Sequence, residues 1–414
     1  MAAGPDAARR AVEHVARVSY ARLISYLCAR SRDLPGAEDA LGDAFAAALR
    51  TWPRDGVPGK PEAWLLHAAR RRLIDRARLD QTRAANTAAL TQLLAEAEDL
   101  STVRAFPDER LKLLFVCAHP AIDARVHTPL MLQVVLGLEA ADIAAAFVTP
   151  ASTMGQRLTR AKAKIRDAGI AFEVPSGAEL APRLFAVLEA IYAAYGFGWD
   201  DVAGADDKRR GLTEEALWLA RTLVELMPEE PEALGLLALF CYCQARRSQR
   251  RRADGSYVPM SEQDSTRWDG SLLAEGDHWL REAAGHQTLG RFQLEAAVQS
   301  AHVERLRGGS VSWDEIVVLY DGLIAVAPTL GARLGKIAAV AEARGPAAAF
   351  SLLDGLPAED VQQHQPYWAV RAHLLQALGD ARASEADVAL QRALDLTDDP
   401  ALHAFLESRR QRRA

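Results

Sequence analysis

Apolar residues recur at three- and four-residue spacing along nearly every segment of useful length, and alternating runs that would suit strands are almost missing. That period belongs to a helix with one buried face, so the chain is expected to be all-α. Its 414 residues, half of them apolar and a quarter charged, suffice for two or three folded units with real cores. Breakers place the divisions. The loop "WPRDGVPGKP" (52–61) separates a first helical pair from a helix opening at Pro61, where proline suits the first turn. A polar, alanine-rich stretch follows as a linker, and a second helical block runs from Asp108 to Ala168, with Gly169 as its C-cap. From about residue 178 onward come helical hairpins punctuated by "MPEEP", "APTLG", "DGLPAED" and "LTDDP". The expected organisation is therefore 1–80, a linker at 81–107, 108–175 and 176–414.

Charge divides the chain along the same line. The overall formal charge is −6, but residues 1–175 carry 24 Lys+Arg against 20 Asp+Glu, leaving 25 against 35 for residues 176–414. An N-terminal part that meets an anion and a C-terminal part that does not would show this asymmetry. Cys28, Cys117, Cys241 and Cys243 are too few and too irregular for a disulfide framework or a zinc site. A reduced, cytoplasmic protein is the expectation. Uncharged runs stop at about 14 residues, short of a bilayer span, so no membrane partner is expected. No nucleophile motif, phosphate-cradling glycine loop or HExxH pattern occurs, and His67, His119, His127 and His278 stand apart. Neither enzymatic activity nor a cofactor is expected.

Two segments concentrate arginine. In "ASTMGQRLTRAKAKIRDAG" (151–169), a helical projection gathers Met154, Leu158, Ala161 and Ile165 on one stripe, and Thr153, Gln156, Arg157, Arg160 and Lys164 on another arc. Upstream, "LEAADIAAAFV" reads as a short amphipathic helix and "TPA" as a tight joint, giving helix, turn, helix. In such a motif the second helix enters the major groove, where Arg and Gln reach base edges and Ser and Thr near its start hold phosphate. An ordinary basic, solvated helix is the competing reading. The segment 61–83 carries Arg70, Arg71, Arg72, Arg76, Arg78 and Arg83 against three acids; there Arg71, Asp75 and Arg78 share a face and would simply pair with one another. Before it, Glu38, Asp39 and Asp43 crowd the exposed start of a helix whose apolar stripe is Ala40, Leu41, Ala44, Phe45 and Ala48. First-turn acids commonly just complement a helix dipole.

Taken in order, "AEDA...AF...W" (37–52), "PEAWLLHAARRRLID" (61–75) and "DIAAAFVTPASTMGQRLTRAKAKI" (142–165) resemble the extracytoplasmic-function sigma factors, σ70-family initiation subunits of bacterial RNA polymerase. The resemblance implies a region 2 domain in the first helices and a region 4 helix-turn-helix domain at 108–168. By it, Glu38, Asp39 and Asp43 dock on the β′ clamp helices of core polymerase, with the β flap as a further polymerase contact. Arg70, Arg71, Arg72 and Arg76 face the melted minus-10 strand, and Ser152, Thr153, Gln156, Arg157, Arg160 and Lys164 hold the minus-35 duplex. Arg71 stands where many members have an Asn within "ARN", which bears on base choice at minus-10. A central third domain is missing here, as in the short class.

The C-terminal 240 residues go beyond an ordinary member, and "PEALGLLALFCYCQARR", "QDSTRWD" and "AEG" look like the subgroup with a fused, tetratricopeptide-like (TPR-like) helical extension. Its clearest unit is 366–400, where Leu378-Gly379-Asp380, Ala386, Ala389, Ala393 and Pro400 fit one repeat of about 34 residues. Stacked hairpins leave a concave surface suited to a protein or intramolecular partner, including regions 2 and 4 of the same chain. Two clusters there, "YAAYGFGWDD" (192–201) and "SEQDSTRWDG" (261–270), suit a ligand pocket or interface as well as packing, with Arg267 stacked on Trp268 and paired to Asp264 or Asp269. The implied activity is promoter-directed initiation on core polymerase and promoter DNA, with the extension in control. A TPR-like adaptor whose sigma-like domain lacks promoter activity is the rival.

Overall fold

A computed structural model describes residues 5–80, 109–200 and 211–411, and among them every regular element is a helix. The expected linker at 81–107 lies outside the described residues. Two compact units emerge, residues 1–198 with 206–219 and residues 199–205 with 220–414.

The first unit begins with α1 (Pro5–Ser31), α2 (Leu34–Asp55) and α3 (Pro61–Asp80), which pack against one another. Leu23, Ile24, Leu27, Leu41, Leu65 and Leu66 are essentially inaccessible between them. Asp33 caps α2 by accepting from the Gly36 amide at 3.1 Å. A Cβ at Gly36 would fall 2.2 Å from the Asp33 carboxylate, so the cap needs glycine there. The loop expected from Trp52 starts later: α2 continues through Pro53 to Asp55 and stops at Gly56, φ 87°. Trp52 holds that last turn inward, buried and edge-on to Trp64 with ring centroids 5.5 Å apart.

Then follow α4 (Arg110–Cys117), α5 (Ala124–Val134), α6 (Ala140–Ala146) and α7 (Ala151–Asp167). Gly169, at φ 60°, closes α7 in the expected place. Helix α4 packs on α1, and α7 on α2, α5 and α6. The unit continues past the expected boundary at 175/176 into α8 (Leu180–Asp200) and the start of α9 (Leu212–Leu226). Arg110 explains this: its guanidinium pairs with Glu215 and lies 4.1 Å over the Trp218 ring. Helix α8 is long and apolar enough to cross a membrane by length and composition. It nonetheless contains Arg183, buried and paired with Glu179 at 2.5 Å, and buries Val187, Ala190, Ile191 and Ala194 inside the protein.

In the second unit, α10 (Pro231–Ala245) is apolar on all sides and lies between α11 (Gly270–Gly285) and α12 (Arg291–Leu306). The α10–α12 approach is close enough that a Cβ on Gly235 would meet the Gln293 amide nitrogen at 2.6 Å. Glu232 accepts from the amides of Phe292 and Gln293, satisfying the first turn of α12 from a neighbouring helix. Helices α13 (Trp313–Val326), α14 (Leu330–Arg344), α15 (Pro346–Asp354), α16 (Ala358–Val361), α17 (Gln365–Ala377), α18 (Ala383–Asp395) and α19 (Pro400–Gln411) complete it. Consecutive long helices pack on one another; the starts of α13 and α15, of α14 and α17 and of α17 and α19 lie 33 to 35 residues apart, those of α12 and α14 39 and those of α11 and α13 43. The α17–α18 hairpin buries Ala386, Ala389 and Ala393 as expected, while Pro400 opens α19 instead of closing the hairpin.

Candidate nucleic-acid interface

Helix α7 divides its residues sharply. Met154, Leu158, Ala161 and Ile165 are between 1% and 7% exposed, the stripe that the spacing predicts. Ser152, Gln156, Arg157, Arg160 and Lys164 are exposed and Thr153 is half-buried. Arg157 and Lys164 form no hydrogen bond or ion pair through their side chains among the described residues, and Arg160 donates only to the Gln156 carbonyl, at 3.3 Å. Three cations thus stand along one solvent-facing surface without a carboxylate to neutralise them. The joint before α7 is tight: Val148 sits at φ 48°, and Thr149 donates its hydroxyl to the Phe147 carbonyl at 3.0 Å. Pro150 stands at the N-cap without a side-chain acceptor, so the first-turn amides of α7 remain open at the same end as Ser152 and Thr153.

Helix α3 behaves differently. Arg70, expected to face a DNA strand, is only 2% exposed; its guanidinium donates to the Tyr26 hydroxyl at 3.0 Å and lies over that ring. It holds α3 to α1 and leaves the set of candidate contacts, because one position after Ala69 it falls on the inward side. Arg71, Arg72 and Arg76 are exposed. Arg76 pairs with Asp39 at 2.9 Å and Arg72 approaches Asp43 at 3.9 Å. The expected pairing of Arg71 with Asp75 does not form, so Arg71 alone of these three has no ion pair. Two acids marked for a polymerase and two arginines marked for DNA therefore meet across the α2–α3 groove. All four are more than half exposed, and such pairs exchange partners at little cost.

The third acid joins the two modules. Glu38 accepts from Lys162 of α7 at 2.6 Å, with the side chains 22% and 15% exposed. Cys28 and Cys117 lie nearby, fully enclosed. Burial pushes both thiols up, Glu38 raises them further and Lys162 opposes it. They are inert packing groups and not nucleophiles. Lys162 was legible in principle, since it follows Leu158 by four residues and precedes Ile165 by three, on the flank of the apolar stripe. Among the described residues no group of three or more His, Cys, Asp or Glu is arranged to hold a metal ion.

Comparison with known proteins divides the chain similarly. Residues 16–83 match the family model described as Sigma-70 region 2, and residues 183–284 match a family of unknown function, DUF6596. The "Uncharacterized protein R00370" of Rhizobium meliloti (strain 1021) is 35% identical over 384 residues, which is 91% of this chain and 89% of that protein. No solved structure gives a significant match.

Proposed function

From the premise that this chain belongs to one family with R00370 and carries the sigma-70 region 2 domain of transcription initiation factors, we propose that it directs core RNA polymerase to promoters with two recognition elements. Helix α7 is the minus-35 reader of a helix-turn-helix formed with α6. Gln156 and Arg157 contact base edges, while Ser152, Thr153, Arg160 and Lys164 hold phosphate. Helix α3 presents Arg71, flanked by Arg72 and Arg76, to the opened minus-10 strand. Asp39 and Asp43 dock on the β′ clamp helices, and the module containing α7 meets the β flap. The observation that carries this reading is the outward face of α7, with three uncompensated cations and an amide opposite a buried stripe.

Geometry adds a condition. Promoter elements some 25 base pairs apart are separated by roughly 85 Å at 3.4 Å per base pair. The Glu38–Lys162 pair keeps the two modules in direct contact, so the contact opens when both elements are engaged. Residues 81–107 reach roughly 90 Å when fully extended, enough for the separation. Docking then exchanges Arg76, Arg72 and Lys162 for groups of the polymerase. The second unit is a TPR-like array that controls this exchange, and the protein works in the cytoplasm.

Co-purification with core polymerase tests the reading. Stoichiometric capture, lost when Asp39 and Asp43 are both changed to Arg, is expected. Absence of capture by the unaltered chain would favour the adaptor reading instead.

A further inference from the structure

The connection between α10 and α11, residues 246–269, is long for a helical array and contains no helix of more than three residues. Loops of this length inside compact domains are uncommon and usually functional. This one is held at many points. An antiparallel bridge joins Arg251 to Tyr257 around a turn at Gly255, φ 83°, closed by Arg252 N to Ser256 O at 3.0 Å and Val258 N to Arg250 O at 2.9 Å. Tyr257 packs edge-on against Phe405 at 5.3 Å, and Arg251 pairs with Asp399, the residue that caps α19. Trp268 is buried and Ser265 donates to the Leu306 carbonyl at 3.1 Å.

The expected stacking of Arg267 on Trp268 does not occur, and neither Asp264 nor Asp269 pairs with it. Asp264 accepts from the Thr266 amide and hydroxyl, and Asp269 from those of Ser271. Arg267 is left exposed, without hydrogen bond or ion pair among the described residues.

The loop borders a half-open cavity of about 560 Å³ lined in part by Arg251, Arg252 and Arg267. Arg252 makes a long approach to Glu262, 3.8 Å. Guanidinium groups with spare donors fit the oxygens of a phosphate. The remaining wall supplies Ser248, Gln249, Glu262 and Asp264, acceptors suited to hydroxyl hydrogens. Its only apolar side chains are Ala253 and Val258, and no aromatic ring is present on which a base would stack.

We propose that this cavity is a binding site for a small phosphorylated polyol, of the sugar-phosphate class: the phosphate on Arg267 and Arg252, the hydroxyls on Ser248, Gln249 and the carboxylates of Glu262 and Asp264. Its size falls within the roughly 300–1,000 Å³ of small-molecule sites. The site lies wholly in the second unit and does not depend on the promoter reading.

Calorimetric titration of the full chain tests it, with ribose 5-phosphate, glucose 6-phosphate and glycerol 3-phosphate as probes and with free ribose and inorganic phosphate as controls. At least one probe is expected to bind, with both controls about tenfold weaker or more. Arg267→Ala and Arg252→Ala, both at exposed positions, should each weaken that binding about tenfold while the helical circular dichroism stays unchanged. The proposal is overturned if none of the three probes binds at low-millimolar concentration, if inorganic phosphate binds as tightly as the esters, or if both variants bind normally. No polymerase or DNA enters the titration, so its failure leaves the promoter reading standing.

Discussion

Helices α3 and α7 are the two arginine-rich segments of the first unit, and they use arginine in opposite ways. Every basic group on the outward arc of α7 faces solvent without a counter-charge. On α3 the run Arg70-Arg71-Arg72 is split by the helical turn: one guanidinium buried on Tyr26, one unpaired, one near Asp43. Net charge counts both helices as basic. Phase against the apolar stripe decides which cation reaches a ligand.

The largest expected effect falls on the buried member. Arg70→Ala removes the hydrogen bond to Tyr26 and leaves a void between α1 and α3, and should cost about 3 kcal/mol in denaturant unfolding. A loss below about 1 kcal/mol would mean that Arg70 is as solvated as the arginines of α7. Next comes Lys162, the basic residue of α7 that faces inward. Lys162→Met leaves Glu38 half-buried and unpaired and should cost about 2 kcal/mol. Because the same change releases α2 from α7, polymerase capture should strengthen while stability falls. Both quantities moving down together would break the link between that ion pair and docking.

A third test sits on the outward face. Arg157→Ala should cost about 1–3 kcal/mol at one position of the minus-35 element, measured by competition between promoter variants, whereas Lys164→Ala should weaken all sequences alike and flatten the salt dependence. An identical penalty on scrambled DNA would reassign Arg157 to phosphate. Smallest is the exposed Asp39–Arg76 pair, whose coupling in a double-mutant cycle should stay under about 1 kcal/mol and vanish in high salt.

Much of this was legible beforehand. The all-α class followed from period alone, and the four buried residues of α7 followed from their spacing, because an amphipathic surface helix has few other places to put them. What period does not encode is contact between distant segments. Arg70 on Tyr26, Asp39 on Arg76 and Glu38 on Lys162 are each fixed by how helices pack, over sequence separations of 37 to 124 residues. The expected bond within a helix, Arg71 to Asp75, does not form, while the neighbouring Arg72 and Arg76 turn to the acids of α2. Similarly, the 261–270 cluster looked like a stacked Arg–Trp pair until its aspartates were taken up by local turns.

Selection of promoters from a randomised DNA pool by core polymerase, with and without the purified chain, tests whether the outward face of α7 chooses the initiation site. Enrichment of two short elements about 25 base pairs apart is expected, with the upstream one lost when Gln156 and Arg157 are both changed to Ala. A pool enriched by the chain no differently from core polymerase alone, or one carrying the upstream element undiminished in that double variant, would contradict it.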